Sequence, residues 1–423
     1  MKKYILWVLG VLILFIGLTY WSVSETEETF STCEILVPED ANIIDFKKHD
    51  SVLVAASTLY EANLIKKLMQ GDQYRKAWAT PVKLPIVFLD TLLGGMKVIE
   101  EGGGKQTHSL ELEAPDGVRY SLRSINKNPE PLIPDFAKKL GLENIVVDGI
   151  SAQHPYAAIV VANLADKAGI LHTDPKMVFV PQQPTLGEFN EKYGNRIFLL
   201  EHETDGGTNW TPFKNATQIV DTEDLQVLKA KNEKKVVIDT AALVRARLFD
   251  ILIGDWDRHT KQWGWAIVDL DSVYSTVPIP GDRDNAFFTI EGIIPTLISN
   301  KKILPGLQSF DKEVDYMPGL VMPFDVYFLK NVDETVFVGE ANFLKRKLSD
   351  KVIWNAFKAW PENIRQLHAD DIITKISARR ENILLYAQRF HEILEKREYL
   401  TEPLKGSEDL KLEENLVRCF DCE

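Results

Sequence analysis

Apolar and polar positions repeat with two periods along this chain, and the dominant period changes between its first and last parts. Five short runs in the first half have strand-like patterns: residues 84–89, 109–113, 118–125, 176–180 and 196–201. Alternation with a period of two is typical of strands with one buried face. In the last third, helical spacing covers residues 352–359, 372–387 and 390–397. We therefore predict an α+β fold that is β-rich early and α-rich late.

The N-terminus has the pattern of a membrane anchor. Lys2 and Lys3 precede an apolar run over residues 4–20, and acidic residues follow from Glu25. A run of about 20 apolar residues is long enough to span a bilayer. The positive flank predicts a cytoplasmic N-terminus and an extracytoplasmic body, in the periplasm or at the cell surface. A cleaved signal peptide is the alternative, because residues 22–24 have small-x-small spacing.

Two segments follow the anchor before the first strand-like run. Residues 22–45 are acidic and aperiodic, which fits a tether that lifts the body off the membrane. Residues 53–78 have helical spacing at Leu59, Leu64 and Leu68, broken at Gly71, and predict a helical extension packed on the main body.

The strongest candidate chemistry lies in two acidic clusters, Asp255/Asp257 and Asp282/Asp284. Helical spacing over residues 243–253 stops at Gly254, so residues 255–262 are predicted to form a loop. Residues 263–279 alternate around a turn signal at 269–272, which predicts a β-hairpin. Such a hairpin would bring the second acidic cluster back to face the first.

Facing acidic loops suit phosphoryl transfer. That reaction needs a carboxylate to orient or deprotonate the acceptor hydroxyl and oxygen ligands that hold Mg²⁺ against nucleotide phosphates. Kinases place a second ligand five residues after the catalytic Asp and a metal-binding Asp after a short hairpin. Here Gln262 lies five residues after Asp257. We assign Asp257 as the base, Asp282 as principal metal ligand, and Gln262 and Asp284 as secondary ligands; Asp255 is the alternative base.

The sequences Asp257-Arg258-His259 and 282–287 (DRDNAF) resemble the atypical kinase-like families. These are the secreted Golgi-type kinases, the spore-coat CotH kinases and, more distantly, the HipA kinases. The resemblance implies a two-lobed fold with a β-rich N-lobe and an α-rich C-lobe, which uses ATP or another nucleotide with Mg²⁺ or Mn²⁺. The acceptor, a protein, glycan or small molecule, is not specified. Gln262 differs from the families, which have an Asn or an acid there.

The candidate nucleotide site lies in the β-rich part. Gly102, Gly103, Gly104 and Lys105 lie between two predicted strands, where backbone N–H groups are able to cradle phosphates. A plain hairpin turn is the alternative.

The next strand carries Arg123 where the resemblance places a phosphate-binding Lys, with Lys127 as the substitute. The usual Glu partner is missing from the helical segment 151–168, where Gln153 and His154 are the nearest polar groups.

Composition narrows the partners. The 423 residues are 45% hydrophobic and 26% charged with a net charge of −13, and no Lys/Arg cluster suits a nucleic-acid backbone. The predicted organisation is an anchor, a tether with extension, a nucleotide lobe, a catalytic lobe and a charged tail: residues 1–24, 25–80, 81–205, 206–400 and 401–423.

Three alternatives to phosphoryl transfer remain open. The acidic loops could be purely structural ion pairs with Arg258 and Arg283, or belong to a binding module without turnover, or to a metal-dependent hydrolase.

Cys419 and Cys422 are expected to form a local disulfide or free thiols. Trp256, Trp263 and Trp265 are expected to pack in the core, and Arg379 and Arg380 to be solvated.

Overall fold

The computed structural model describes residues 2–24, 34–35, 44–102, 108–127, 133–302 and 304–404. Within these ranges the fold is mixed α+β, as predicted. The strands are β1 (Glu34–Ile35), β2 (Ser51–Ala55), β3 (Val82–Pro85), β4 (Lys97–Gly102), β5 (Ser109–Glu113), β6 (Arg119–Ser124), β7 (Lys176–Val180), β8 (Arg196–His202), β9 (Ala216–Asp221), β10 (Val236–Ile238), β11 (Trp263–Asp269) and β12 (Tyr274–Pro280).

Most helices of the described residues lie in the second half of the body, apart from the long N-terminal α1. They are α1 (Lys2–Ser24), α2 (Leu64–Gln70), α3 (Arg75–Ala79), α4 (Asp135–Lys139), α5 (Glu143–Gly149), α6 (Ala157–Ala168), α7 (Asn190–Tyr193), α8 (Thr222–Asn232), α9 (Thr240–Ile253), α10 (Ile293–Ile298), α11 (Pro323–Leu329), α12 (Glu334–Lys347), α13 (Asp350–Ala356), α14 (Glu362–Glu381) and α15 (Ile383–Lys396). The three C-terminal helical runs predicted from spacing are therefore confirmed.

A five-stranded antiparallel sheet has the order β4-β5-β6-β8-β7. Alternate side chains of its strands pack into one core, including Leu110, Leu112, Leu122 and Phe198. This burial of one face is what period-two alternation produces. The strands predicted at 109–113, 118–125, 176–180 and 196–201 are confirmed, whereas the run at 84–89 forms a strand only up to Pro85.

A buried helix and a hairpin carry the acidic loops. Helix α9 begins after Asp239, whose side chain accepts a hydrogen bond from the Ala242 N–H at 2.9 Å. It ends at Gly254, which has a left-handed φ of 71° and donates its N–H to the Asp250 carbonyl. Strands β11 and β12 form the predicted antiparallel hairpin, in a four-stranded sheet of order β10-β12-β11-β9.

Tryptophan side chains of this region pack as predicted. Trp263 and Trp265 are buried, and both stack on Phe324 of α11. Trp256 is partly buried and meets Phe288 edge to face. These ring contacts therefore stabilise the acidic loops by packing neighbouring residues against the protein interior.

The prediction that Arg379 and Arg380 are solvated is wrong. Arg379 is buried and donates to the carbonyls of Ile251 and Asp311 at 2.7 and 2.6 Å. Burial lowers the pKa of Arg379 to about 10. Its guanidinium satisfies a carbonyl in the last turn of α9, a role that a local charge pattern does not reveal.

The helical pattern predicted from residue 53 is wrong at its start, because Ser51–Ala55 is β2, which pairs with β1 and β3 in a three-stranded sheet. Within residues 53–78, the first α-helix is α2. Asp148 of α5 forms ion pairs with Lys66 and Arg75, and all three side chains are buried. These ion pairs join this region to α5. Val52 and Val54 are buried and Leu53 between them is exposed, which is the alternation of a strand with one buried face.

Helix α1 is apolar and exposed over most of its length, with a mean hydropathy of 2.1 and 6% of its most apolar window buried. These properties suit a membrane span or a signal sequence. The second apolar helical segment, Glu143–Ala168, is 72% buried and belongs to the core. The C-terminal turn of α1 contacts the body directly, since Gln70 Nε2 donates to Ser22 Oγ at 3.1 Å.

Candidate functional site

One buried carboxylate, Asp250 in the last turn of α9, holds both acidic loops. Its oxygens lie 3.0 Å from Arg247 NH1, 3.3 Å from Arg258 Nε and 2.9 Å from Arg283 NH2. Arg247 also forms a bidentate pair with Asp325 at 2.6 and 3.0 Å. Because Arg258 and Arg283 come from the two different loops, this network fixes the loops relative to each other.

Arg258 links the two acidic loops through hydrogen bonds to backbone carbonyls. It is fully buried and donates to the carbonyls of Gly281 at 2.7 Å and Gln262 at 3.1 Å. The Gly281 N–H in turn donates to the Gln262 carbonyl at 3.0 Å. The prediction that the hairpin returns the second acidic cluster to the first therefore agrees with these contacts.

The two acids of the first cluster differ in environment. Asp255 is 3% exposed, lies 3.5 Å from Arg258 NH1 and accepts the Asp257 N–H at 3.3 Å. Burial raises the pKa of Asp255. Asp257 has a side chain that is 30% exposed, with the Asn285 amide at 3.5 Å and His259 Nε2 at 3.9 Å. Asp257 is therefore the member of the pair that an external molecule is able to reach.

The second acidic cluster meets the two predicted cations. Arg123 NH1 lies 2.7 Å from Asp282 Oδ2, and Lys127 Nζ lies 2.6 Å from Asp284 Oδ2. The remaining Oδ1 atoms of Asp282 and Asp284 are buried and have no hydrogen-bond partner among the described residues. Cations from the β6 segment and acids that follow β12 thus converge on one place.

The pKa values of Asp282 and Asp284 are shifted in opposite directions. Burial favours a raised pKa for Asp282, but Arg123 and Lys127 outweigh burial and hold that pKa below its ordinary value. For Asp284, burial and the nearby Asp282 charge raise the pKa. A carboxylate beside a second carboxyl with a raised pKa favours an additional cation, which would stabilise both in the ionised form.

Sequence reasoning missed the partner of Arg123. Glu201 on β8 accepts from Arg123 Nε at 2.9 Å and from Thr173 Oγ1 at 2.5 Å. Arg123 lies opposite Leu199 in the register, so Glu201 is its diagonal cross-strand neighbour. The expected helical Glu is therefore replaced by one on the adjacent strand.

The remaining predicted ligands lie in different settings. Gln262 is buried beside Asp282, and its side-chain amide helps to lower the Asp282 pKa. Gly102 is the last residue of β4 and pairs with Ser109. Gly103, Gly104 and Lys105 lie outside the described residues, as do Cys419 and Cys422. The phosphate loop therefore stays a prediction.

The unpaired carboxylate oxygens of Asp282 and Asp284 suit a divalent cation that takes only part of its ligands from the protein. In the described part of the chain, no group of three or more His, Cys, Asp and Glu side chains is arranged to hold a metal by itself. Mg²⁺ usually takes only one or two protein carboxylates and completes its shell with phosphate oxygens and water. The two unpaired Oδ1 atoms and the Gln262 amide suit that mode.

Comparisons with known proteins are sparse. No family model and no curated protein matches the sequence. Among solved structures, the proinflammatory kinase CtkA of Helicobacter pylori has a TM-score of 0.37 and 12% identity over 70% of this chain and 95% of its own. HipA of Shewanella oneidensis, from a complex with HipB and operator DNA, has a TM-score of 0.29 and 13% identity over 56% of this chain and 57% of its own. Scores this low leave function to be argued from the chain's own residues.

Proposed function

We propose that this chain is a kinase-like enzyme that transfers a phosphoryl group from ATP or another nucleotide to an acceptor hydroxyl. The supporting observation is the accessible carboxylate of Asp257, held by a buried arginine network beside the Asp282/Asp284 pair. Few arrangements other than phosphoryl transfer use an accessible acid, a carboxylate pair with unpaired oxygens and two converging cations together.

Asp257 is the acceptor-orienting group in this proposal. Its partial exposure lets an incoming hydroxyl approach, while the Asn285 amide at 3.5 Å restrains its orientation. Gln153 Nε2 fixes Asn285 by donating to its Oδ1 at 2.6 Å. Asp255 holds the Asp257 backbone and is assigned a positioning role.

Asp282, Asp284 and Gln262 would hold Mg²⁺ or Mn²⁺, with Asp282 as the principal ligand. The bound metal would neutralise charge on the phosphates. Arg123 and Lys127 would exchange their ion pairs with these acids for nucleotide phosphates, and Glu201 would keep Arg123 in place during that exchange. A two-lobed arrangement, with strand β6 contributing the cations and α9 and the β11–β12 hairpin the acids, follows from the same proposal.

The enzyme is proposed to be anchored by α1, with a cytoplasmic N-terminus and the body outside the cytoplasm. The support is the length, hydropathy and exposure of α1 together with the Lys2-Lys3 flank. Its acceptor, a protein, a glycan or a small molecule, would then be an extracytoplasmic compound.

Thermal unfolding of the full chain in lipid nanodiscs tests nucleotide binding. We expect Mn²⁺ and ATP together to raise the unfolding temperature more than either alone. Arg123→Met should lose this increment, because Arg123 binds the phosphates. Arg119→Met is the matched control on the same strand, where Arg119 pairs only loosely with Glu111 at 3.7 Å. Absence of any combined effect in the wild-type chain would contradict the proposal.

Binding without turnover is the second candidate. It is favoured by the 2.7 Å contact of Arg123 with Asp282, because a cation already neutralises the principal metal ligand. A chain that is stabilised by metal and nucleotide yet releases no phosphate from ATP would identify this second function.

A further inference from the structure

Helix α1 leaves the body at a defined face. Besides the Gln70–Ser22 hydrogen bond, Tyr20 OH donates to the Leu140 carbonyl at 3.0 Å. These contacts fix the end of α1 against α2 and the end of α4. A body attached in this way is held at the point where the helix would enter the bilayer.

Exposed apolar side chains surround that exit. Leu64 and Leu68 on α2 are 83% and 57% exposed, and Leu297 on α10 is 62% exposed. Four further apolar side chains are exposed on α10 and in the α4 region, whose end contacts α1 through Leu140: Ile293, Ile298, Phe136 and Leu140. We call these seven residues the apolar collar. Exposed apolar side chains grouped on neighbouring elements mark an interaction site.

The collar is rigid where α2 meets α10. A Cβ on Gly292 would lie 2.2 Å from the Gly71 nitrogen, so the two helix ends touch backbone to backbone. Glu291 Oε2 accepts the Gln73 N–H at 3.0 Å beside this contact. A cavity of about 590 Å³ lies between the helices and is lined by Leu68 and Leu297 together with the charged residues Lys67, Asp72 and Glu291. The two apolar faces are thus fixed relative to α1.

Cations flank the collar on two sides. Lys138 and Lys139 lie on α4 beside Phe136 and Leu140, and Lys301 and Lys302 follow α10. All four are exposed. Apolar side chains bordered by exposed lysines are the composition of surfaces that lie in the headgroup region of anionic membranes.

We propose that the apolar collar docks on the lipid bilayer around the membrane end of α1, so that the body lies on the membrane surface. Three observations commit the occupant to lipid. The collar adjoins the membrane end of α1, its seven side chains are aliphatic or aromatic, and lysines lie beside it on α4 and after α10.

Single fluorophores in vesicles test this proposal. The full chain, with Cys33, Cys419 and Cys422 changed to Ser, receives one cysteine by Leu68→Cys or Leu297→Cys and an environment-sensitive label. Ile13→Cys in α1 is the membrane control. Leu385→Cys is the aqueous control, since Leu385 is 44% exposed on α15 and lies outside the collar. Vesicles contain phosphatidylcholine and phosphatidylglycerol, with or without a nitroxide-labelled lipid.

We expect the nitroxide lipid to quench labels at 68 and 297 about as strongly as the label at 13, and to leave 385 unchanged. Quenching at 13 but not at 68 and 297 would overturn the collar and preserve the anchor. No quenching at 13 would overturn both. A blue-shifted but unquenched label at 68 or 297 would indicate a protein partner or a second copy, and would also overturn lipid docking. No nucleotide takes part, so the outcome is independent of phosphoryl transfer.

Discussion

At the residue scale, the acidic loops combine a buried structural network with one accessible carboxylate. Asp250 forms ion pairs with three arginines in the interior, whereas Asp257 is partly exposed. Buried ion pairs contribute little net stability over apolar residues, but removal of one partner is costly because the others stay charged and unpaired. The network therefore explains why the loops keep one geometry.

Asp250→Asn should lower the free energy of unfolding by about 3–5 kcal/mol, because it removes the charge that compensates three buried guanidinium groups. Asp257→Asn is the matched control and should change stability by less than about 0.5 kcal/mol, as expected for a partly exposed loop residue. Denaturant titration of both variants measures the difference. Equal effects would show that the two acids share one structural role.

Glu203, which directly follows β8, should make stability depend on pH. Burial raises the pKa of Glu203 to about 7 in the folded chain. A group whose pKa is raised on folding binds its proton more tightly in the folded state, so its stabilisation is present at low pH and is lost as pH rises through about 7. Relative to the Glu203→Gln variant, the wild-type chain should lose about 1–3 kcal/mol of its free energy of unfolding as the pH rises from 4.5, the ordinary pKa of a Glu carboxyl, to 8. Parallel curves for the two proteins would disprove the raised pKa.

At the element scale, the end of α9 sets the direction of the first acidic loop. Gly254 is in the left-handed region, and a Cβ there would lie 2.4 Å from Phe310 Cδ2. Gly254→Ala should therefore destabilise the fold by more than about 1 kcal/mol. Gly339→Ala, within α12 and with open space around its Cβ, should instead stabilise it by about 0.5–1 kcal/mol. Thermal or denaturant unfolding of the pair measures both effects, and the same sign for both would refute this account of the helix end.

The elements around the site could be predicted from the sequence because their signals are local. The end of α9, the β11–β12 hairpin and strands β5 to β8 each have a clear period and a turn signal. Three features could not be predicted. The Arg123–Glu201 ion pair joins two different strands, and Arg379 donates to a backbone carbonyl that is far away in sequence. The third feature is the difference in burial between Asp255 and Asp257. Each depends on long-range packing, which a local pattern does not encode.

At the scale of the whole molecule, the candidate site forms where separate parts of the chain meet. Strand β6 supplies Arg123 and the segment after it supplies Lys127, α9 supplies Asp250, and the turn after β12 supplies Asp282 and Asp284. The site therefore depends on the complete fold. The apolar collar, carried by α2, α4 and α10, would place this body at a membrane surface.

Membrane orientation can be measured separately from activity. A reporter fused after Glu423 should be active outside the cytoplasm, because the Lys2-Lys3 flank favours a cytoplasmic N-terminus. The same fusion with Lys2 and Lys3 changed to Glu is the control and should lose this preference. Cytoplasmic reporter activity from the unmodified chain would contradict the proposed location.

The central claim is that Asp257 acts on the acceptor while the network around Asp250 only holds it. Release of inorganic phosphate from ATP, with water as the acceptor, is measured for wild-type and Asp257→Asn chains with Mn²⁺ and expressed per folded molecule. We expect Asp257→Asn to lower turnover by on the order of 10²-fold or more, with unchanged stabilisation by metal and nucleotide. Equal turnover per folded molecule in the two chains would contradict the claim.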